Sequence, residues 1–166
     1  METYNQVALS ASKMVTERFS SSFGLATRLF DSSIRQDIYN IYGLARIADE
    51  IVDSYDGKDA KQQLQDLQVD VYRACKTGFS ANIVVHAFAQ TARQYQIGKD
   101  LIQPFFDSMA MDLPSYTYKA TDYHTYIYGS AEVIGLMCLK VFVKGDSATY
   151  NKLKKGASAL GAAFQK

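Results

Sequence analysis

Asp49 and Asp53 lie four residues apart in the run YNIYGLARIADEIVD, whose apolar spacing is helical, so their carboxylates stack on one helix face. That geometry suits a hard cation such as Mg2+. Counting back along the same face gives Arg46 and Tyr42, so one stripe presents a phenol, a guanidinium and two carboxylates within about three turns. Left exposed and bare, carboxylates at this spacing repel each other by roughly 0.2–0.5 kcal/mol. A bridging Mg2+, which keeps waters in its shell for a ligand's phosphates, would turn that repulsion into binding. Two blander readings compete with it. One is a solvated acidic face, and the other is an intrahelical ion pair between Arg46 and Asp49, three residues apart. Spacing alone leaves all of these open. Glu50 lies about 100° around the helix and is expected in solvent.

Other residues carry weaker signals. Ser20, Ser21 and Ser22 stand before Phe23 and Gly24 and read as a turn or cap ahead of a loop. Tyr126 falls one turn before Ser130, with Ile134 and Met137 following at helical intervals; by itself it is a core tyrosine. Asp112, before Leu113 and Pro114, reads as a turn residue. His86 sits in an apolar run and reads as a satisfied core side chain, and His124 has no second ligand at i+4. No Ser/His/Asp order, nucleotide-binding glycine loop or zinc spacing occurs, which sets aside hydrolase and oxidoreductase readings.

Composition narrows the field further. A chain of 166 residues can bury one real core, and 48% hydrophobic with 21% charged residues is ordinary for a globular protein. The net charge of +1, with cations scattered along the chain, gives no field for nucleic acid, so no nucleic-acid partner is expected. Cys75 and Cys138 are far apart and lack metal spacing, and they read as reduced, buried thiols. The polar N-terminus does not have the pattern of a secretory signal. No apolar run reaches the ~18 residues of a membrane span. The longest candidate, 131–143, is broken by Glu132, Gly135 and Lys140 and suits a buried helix. A cytoplasmic location is the expectation.

Turn signals cut the chain into about seven helical segments without hairpin patterns, which predicts an all-α fold. A first helix is expected from near Tyr4 to Phe19. A second starts after Asp31, Ser32 and Ser33, with Gln36 placed to complete a capping box with Ser33, and frays near Gly57. A third runs over 59–76, and Asn82 caps a fourth through Tyr95. Pro104 is tolerated in the first turn of a helix that continues through Met109. Thr121 or Asp122 caps a long helix to Phe142, and Asp146 or Ser147 opens the last, with Leu153, Leu160 and Phe164 inward.

The surrounding residues resemble the squalene and phytoene synthase family, most closely its bacterial phytoene synthases. The resemblance runs in order through the Ser20–Phe23 element, IYGLARIADEIVD, the MDL of Met111 to Leu113, and YIYGSAEVIGLMCLKVF. It implies the helical isoprenoid synthase bundle, with Mg2+ on Asp49 and Asp53 and a prenyl diphosphate against Arg46, Tyr42 and the Ser20, Ser21, Ser22 hydroxyls. It further implies Phe23, Ser130, Ala131, Ile134 and Gly135 along the prenyl chain, Tyr126 as the tyrosine that steadies carbocations, and Gln165 as a further ligand. The implied reaction joins two prenyl diphosphates head to head: geranylgeranyl diphosphate gives phytoene, with farnesyl diphosphate as the competing substrate. Such long hydrocarbon products must leave into lipid, so peripheral membrane contact is part of the expectation.

The family places a second aspartate-rich motif, NxxRDxxxD, after a segment like LGAAFQ, and here the sequence stops at Lys166. On that ground residues 1–166 are expected to form a single partial domain, an incomplete bundle that is idle alone. Its uncovered Leu153, Leu160, Ile134 and Met137 are expected to drive a homo-oligomer. Glu132 departs from the glycine usual at its position. Asp49 and Asp53 are expected to share a cavity with Tyr126. The alternative from another class is a non-catalytic, synthase-like assembly or binding protein, of a kind that tends to lose the acidic motifs.

Overall fold

Every regular element among the described residues of the computed structural model, 1–119 and 122–164, is helical. Thr121 and Gln165 lie outside them. The chain divides into two compact units, residues 1–47 with 66–94 and residues 48–65 with 95–166.

The first unit holds α1 (Glu2–Phe19), α2 (Ser21–Thr27), α5 (Ile83–Tyr95) and the larger parts of α3 (Ser32–Asp53) and α4 (Ala60–Thr77). Its core is aliphatic and aromatic, with Ala8, Ile38, Tyr39, Ile41, Leu44, Val71, Val85 and Phe88 all at or below 2% exposure. Buried polar groups are paired across helices, as burial requires. Asn40 donates to Thr91 Oγ1 at 3.0 Å, and Thr91 donates to Asp37 Oδ1 at 2.7 Å. Gln36 donates to Leu9 O and to Asn40 Oδ1. That replaces the expected capping box, because Asp31 Oδ1 accepts the Ser33 N–H and leaves Gln36 to bind across to α1. Asn82 caps α5 through Val84 N and Val85 N, as its sequence position suggests. His86 is fully buried: its Nε2 lies 2.8 Å from Asn5 Oδ1 and its Nδ1 accepts from Ser80 N at 3.4 Å. The short helix α2 replaces the loop expected around Gly24.

The second unit holds α6 (Lys99–Met111), α7 (Asp122–Ile127), a π-helical stretch Tyr128–Glu132, α8 (Val133–Phe142) and α9 (Ser147–Phe164). Pro104 sits inside α6, in its second turn, because the helix begins at Lys99. The π stretch exists where α7 crosses α6: a Cβ on Gly129 would lie 2.2 Å from Pro104 O and 2.6 Å from Ser108 Cβ. Only glycine allows that approach. It also breaks the continuous α register expected from Tyr126 to Ile134. Against α9 the fit is again backbone-close, with Gly161 under Ala131 O and Gly135 under Ala157 O. Val133, Met137 and Val141 are buried at 0–2% exposure, each worth about 1.5–3 kcal/mol of transfer free energy. Met137 is therefore covered, contrary to expectation, while Leu153 and Leu160 remain 45% and 61% exposed. The helical run Asp122–Phe142, 21 residues with an 18-residue stretch of mean hydropathy 1.2, is long and apolar enough to cross a membrane, which the sequence reading did not anticipate. It packs on α6 and α9, with 39% of that stretch buried.

Two outcomes follow for stability. Gly129→Ala should cost about 1–3 kcal/mol through overpacking, whereas Gly156→Ala on α9, with nothing within 4 Å of its Cβ, should stabilise by about 0.4–1 kcal/mol; urea midpoints report both. Burial holds His86 below its ordinary pKa of 6.5, so the folded state binds fewer protons than the unfolded chain. Its contribution is present above that value and lost as pH falls below it. Urea midpoints should drop between pH 7.5 and 5.5, and His86→Gln should flatten that slope.

Candidate diphosphate and metal site

Helix α3 carries Tyr42, Arg46, Asp49 and Asp53 in one unbroken α-helical stretch, so the expected stripe exists as backbone geometry. Its apolar partners Ile38, Ile41, Leu44, Ala48 and Val52 are each at most 8% exposed and fix the helix rotation. Tyr42, Arg46 and Asp49 are half-buried, and Asp53, in the last turn, is exposed. The expectation that both carboxylates face a cavity therefore does not hold for Asp53: α3 ends there and the following turn leaves it open.

In the first unit the stripe is furnished from α1 and α2. Arg46 lays its guanidinium over the Phe19 ring at 4.7 Å, and Phe23 stacks on Tyr42 at 4.6 Å between centroids with planes 20° apart. Stacking on an aromatic face suits a weakly hydrated, planar guanidinium and holds its fork in one orientation. Ser20 Oγ accepts the Phe23 N–H at 3.2 Å and caps α2, which fixes Phe23. Ser21 and Ser22 are exposed on the first turn of α2.

In the second unit the acidic end of α3 belongs with a group of phenols. Tyr126 donates to Asp112 Oδ2 at 3.3 Å, and Tyr118 donates to Asp112 Oδ1 at 3.2 Å. Burial pushes the Asp112 carboxyl up, the two hydroxyls pull it back, and the charge of Asp53 adds to the rise. Burial, with the charge and acceptor oxygen of Asp112, pushes the Tyr126 phenol up to about 12. Asp53 is thus felt electrostatically by both Asp112 and Tyr126. A cavity of about 250 Å³ lies in the same unit, walled by Val52, Tyr55, Lys58, Lys61, Leu113 and Pro114.

The remaining candidates fall elsewhere on the long helix. Ser130 Oγ is buried without a hydrogen-bond partner in the π stretch, and Ile134 is half-buried. Ala131 and Gly135 lie against α9, which by itself accounts for their small size. Gln165 is outside the described residues. Sequence reasoning weighed Asp112 as a turn residue against its match, by resemblance, to an acidic position near the cavity, and passed over Tyr118. The available signal was the alternation of Tyr116, Tyr118 and Tyr126 with Asp112 and Asp122. Among the described residues no group of three or more His, Cys, Asp or Glu is placed to hold a metal ion. Asp49 and Asp53 offer two hard oxygen donors, which suits Mg2+ bound through waters and a ligand's phosphates.

The squalene/phytoene synthase family model matches residues 16–166. The chain belongs to that family. It is 28% identical over 156 residues to the 15-cis-phytoene synthase of Pantoea ananas, covering 88% of this chain and 49% of that protein. To the phytoene synthase of Arthrospira platensis it is 29% identical over 166 residues, covering 92% and 53%. The crystal structure of a dehydrosqualene synthase in complex with ligand superposes with a TM-score of 0.77 at 21% identity, covering 97% of this chain and 55% of that one. The fold is thus of the isoprenoid synthase type, and the chain spans about half the length of the curated relatives it matches.

The phenol group yields a direct measurement. Asp112→Asn removes a charge and weakens an acceptor, so the Tyr126 pKa should fall from about 12 toward, but not reach, the ordinary value of 10.0, because burial persists. The 13Cζ resonance of Tyr126, assigned with Tyr126→Phe, follows that titration; an unchanged midpoint would remove Asp112 from its surroundings.

Proposed function

We propose that this chain carries the diphosphate- and metal-binding residues of a head-to-head prenyltransferase, one that joins two molecules of geranylgeranyl diphosphate into phytoene in carotenoid synthesis. The observation that supports it is the single helix α3 presenting Tyr42, Arg46, Asp49 and Asp53 in register, with an aromatic seat for the guanidinium. Mg2+ bound to Asp49 and Asp53 would supply neutralising charge to the departing diphosphate.

The chain's own residues do the rest. Arg46, seated over the Phe19 ring, would donate parallel N–H groups to two phosphate oxygens, which a lysine's point charge does not reproduce. Phe23, stacked on Tyr42, presents apolar surface next to the diphosphate seat. Tyr126, its hydroxyl committed to Asp112, offers its π face to an allylic cation. Apolar walls keep water from the cation until the new carbon–carbon bond forms. Farnesyl diphosphate is the competing substrate, since chain length is set by cavity depth.

Calorimetric titration with geranylgeranyl diphosphate tests the reading. Binding should require Mg2+, and Asp53→Asn and Arg46→Lys should each weaken it about tenfold or more, equivalent to at least about 1.4 kcal/mol, with unchanged far-UV circular dichroism. Metal-independent binding that ignores both substitutions would count against the proposal. Parallel titration with farnesyl diphosphate ranks the two substrates.

A further inference from the structure

Asp112 is fixed before its side chain makes any contact. It is the C-cap of α6, with its N–H on Met109 O at 3.1 Å, and the next residue, Leu113, is anchored at 5% exposure. What remains free is rotation of the carboxylate about its last torsion, which is broad and roughly two-fold. Tyr126 holds only one of the two oxygens, Oδ2. A carboxylate gripped at one oxygen can swing and carry its donor with it; gripped at both, it becomes a fixed bracket. The second grip is Tyr118 on Oδ1.

We propose that Tyr118 is a positioning residue for Tyr126, acting through Asp112. Tyr118 is itself well placed for this. Its ring meets Tyr126 edge-on at 6.2 Å and Tyr116 edge-on at 5.2 Å. Tyr116 in turn donates to Asp122 Oδ2 at 2.9 Å, and the same oxygen accepts the Lys119 N–H at 2.9 Å. A turn closed by Tyr116 N on Leu113 O, with Pro114 inside it, starts the segment. The stretch between α6 and α7 is therefore tied to Asp112 at one end and Asp122 at the other, each time by a phenol. Tyr118 is 54% exposed, so its hydroxyl contributes geometry more than stability and its removal should leave the fold intact.

That Tyr126 meets substrate rests on the proposed function above; the coupling of Tyr118 to Tyr126 does not. The experiment is 13C NMR of the tyrosine-labelled 166-residue chain, with Tyr126 assigned by Tyr126→Phe. Tyr118→Phe should shift the Tyr126 13Cζ resonance, and Tyr116→Phe, which touches Asp122 instead, should shift it less. In an Asp112→Ala background, which has no side-chain acceptor, Tyr118→Phe should produce no further shift, because the link has been removed. An unmoved Tyr126 resonance in Tyr118→Phe overturns the proposal, and so does a shift of equal size in the Asp112→Ala background, which would mean direct ring contact. Addition of geranylgeranyl diphosphate with Mg2+ separates the two ideas. A Tyr126 resonance that responds to Tyr118→Phe but not to ligand upholds the positioning role and rejects Tyr126 as a substrate-facing group.

Discussion

The burial of α3 is the constraint on which the remaining geometry depends. From Ile38 to Ile41 the helix is enclosed on nearly every side, and beyond that Leu44, Ala48 and Val52 stay covered. A helix locked this way has no rotational freedom left. Its polar residues inherit their direction from the apolar ones, so Tyr42, Arg46, Asp49 and Asp53 leave the helix in line, and the Phe19 and Phe23 rings then seat Arg46 and Tyr42. This is how a charged stripe can be held ready for a ligand: hydrophobic burial on one flank supplies the free energy that ordering the polar flank would otherwise cost.

Negative charge accumulates at the end of that helix, where Asp49, Glu50 and Asp53 fall within five residues. Asp53 raises both Asp112 and Tyr126, and Asp112 is desolvated while accepting two phenols. Neutral hydroxyls can orient a carboxylate but cannot cancel its charge. A site that gathers carboxylates and phenols therefore favours a cation and disfavours a bare anion. The spacing of Asp49 and Asp53 and the electrostatics of Asp112 and Tyr126 thus point the same way, with Asp53 common to both.

The sequence announced the helices because their apolar spacing is long-range and redundant: α3, α5 and the long helix ending at Phe142 lie close to their expected bounds. What it did not announce depends on single contacts. The helix α2 is only seven residues and owes its start to one Ser20 hydroxyl, so SSFGLAT reads as a turn. The π stretch arises because Gly129 meets the backbone of Pro104, a fact of tertiary packing that no local pattern carries. Gln36 satisfied the spacing of a capping box, yet Asp31 offered a nearer oxygen and α1 offered a buried carbonyl. Of the candidate site, the α3 stripe was legible because its spacing is helical, whereas the Asp112 bracket was not, since it joins residues from α6, a connecting segment and α7.

That difference bears on how the two parts of the site can behave. The α3 stripe is set by a core and will tolerate changes among its neighbours so long as the apolar face survives. The phenol bracket hangs on hydroxyl–carboxylate contacts of 3.2 and 3.3 Å, at the long end for such bonds, and on a segment with exposed residues such as Tyr118. Long, solvent-accessible bonds to a desolvated carboxylate have room to shorten when a cation or ligand changes the local field. Burial places the α3 groups, whereas the Tyr126 ring depends on both oxygens of one carboxylate being gripped at once, so its placement is the one that a single lost hydroxyl would disturb.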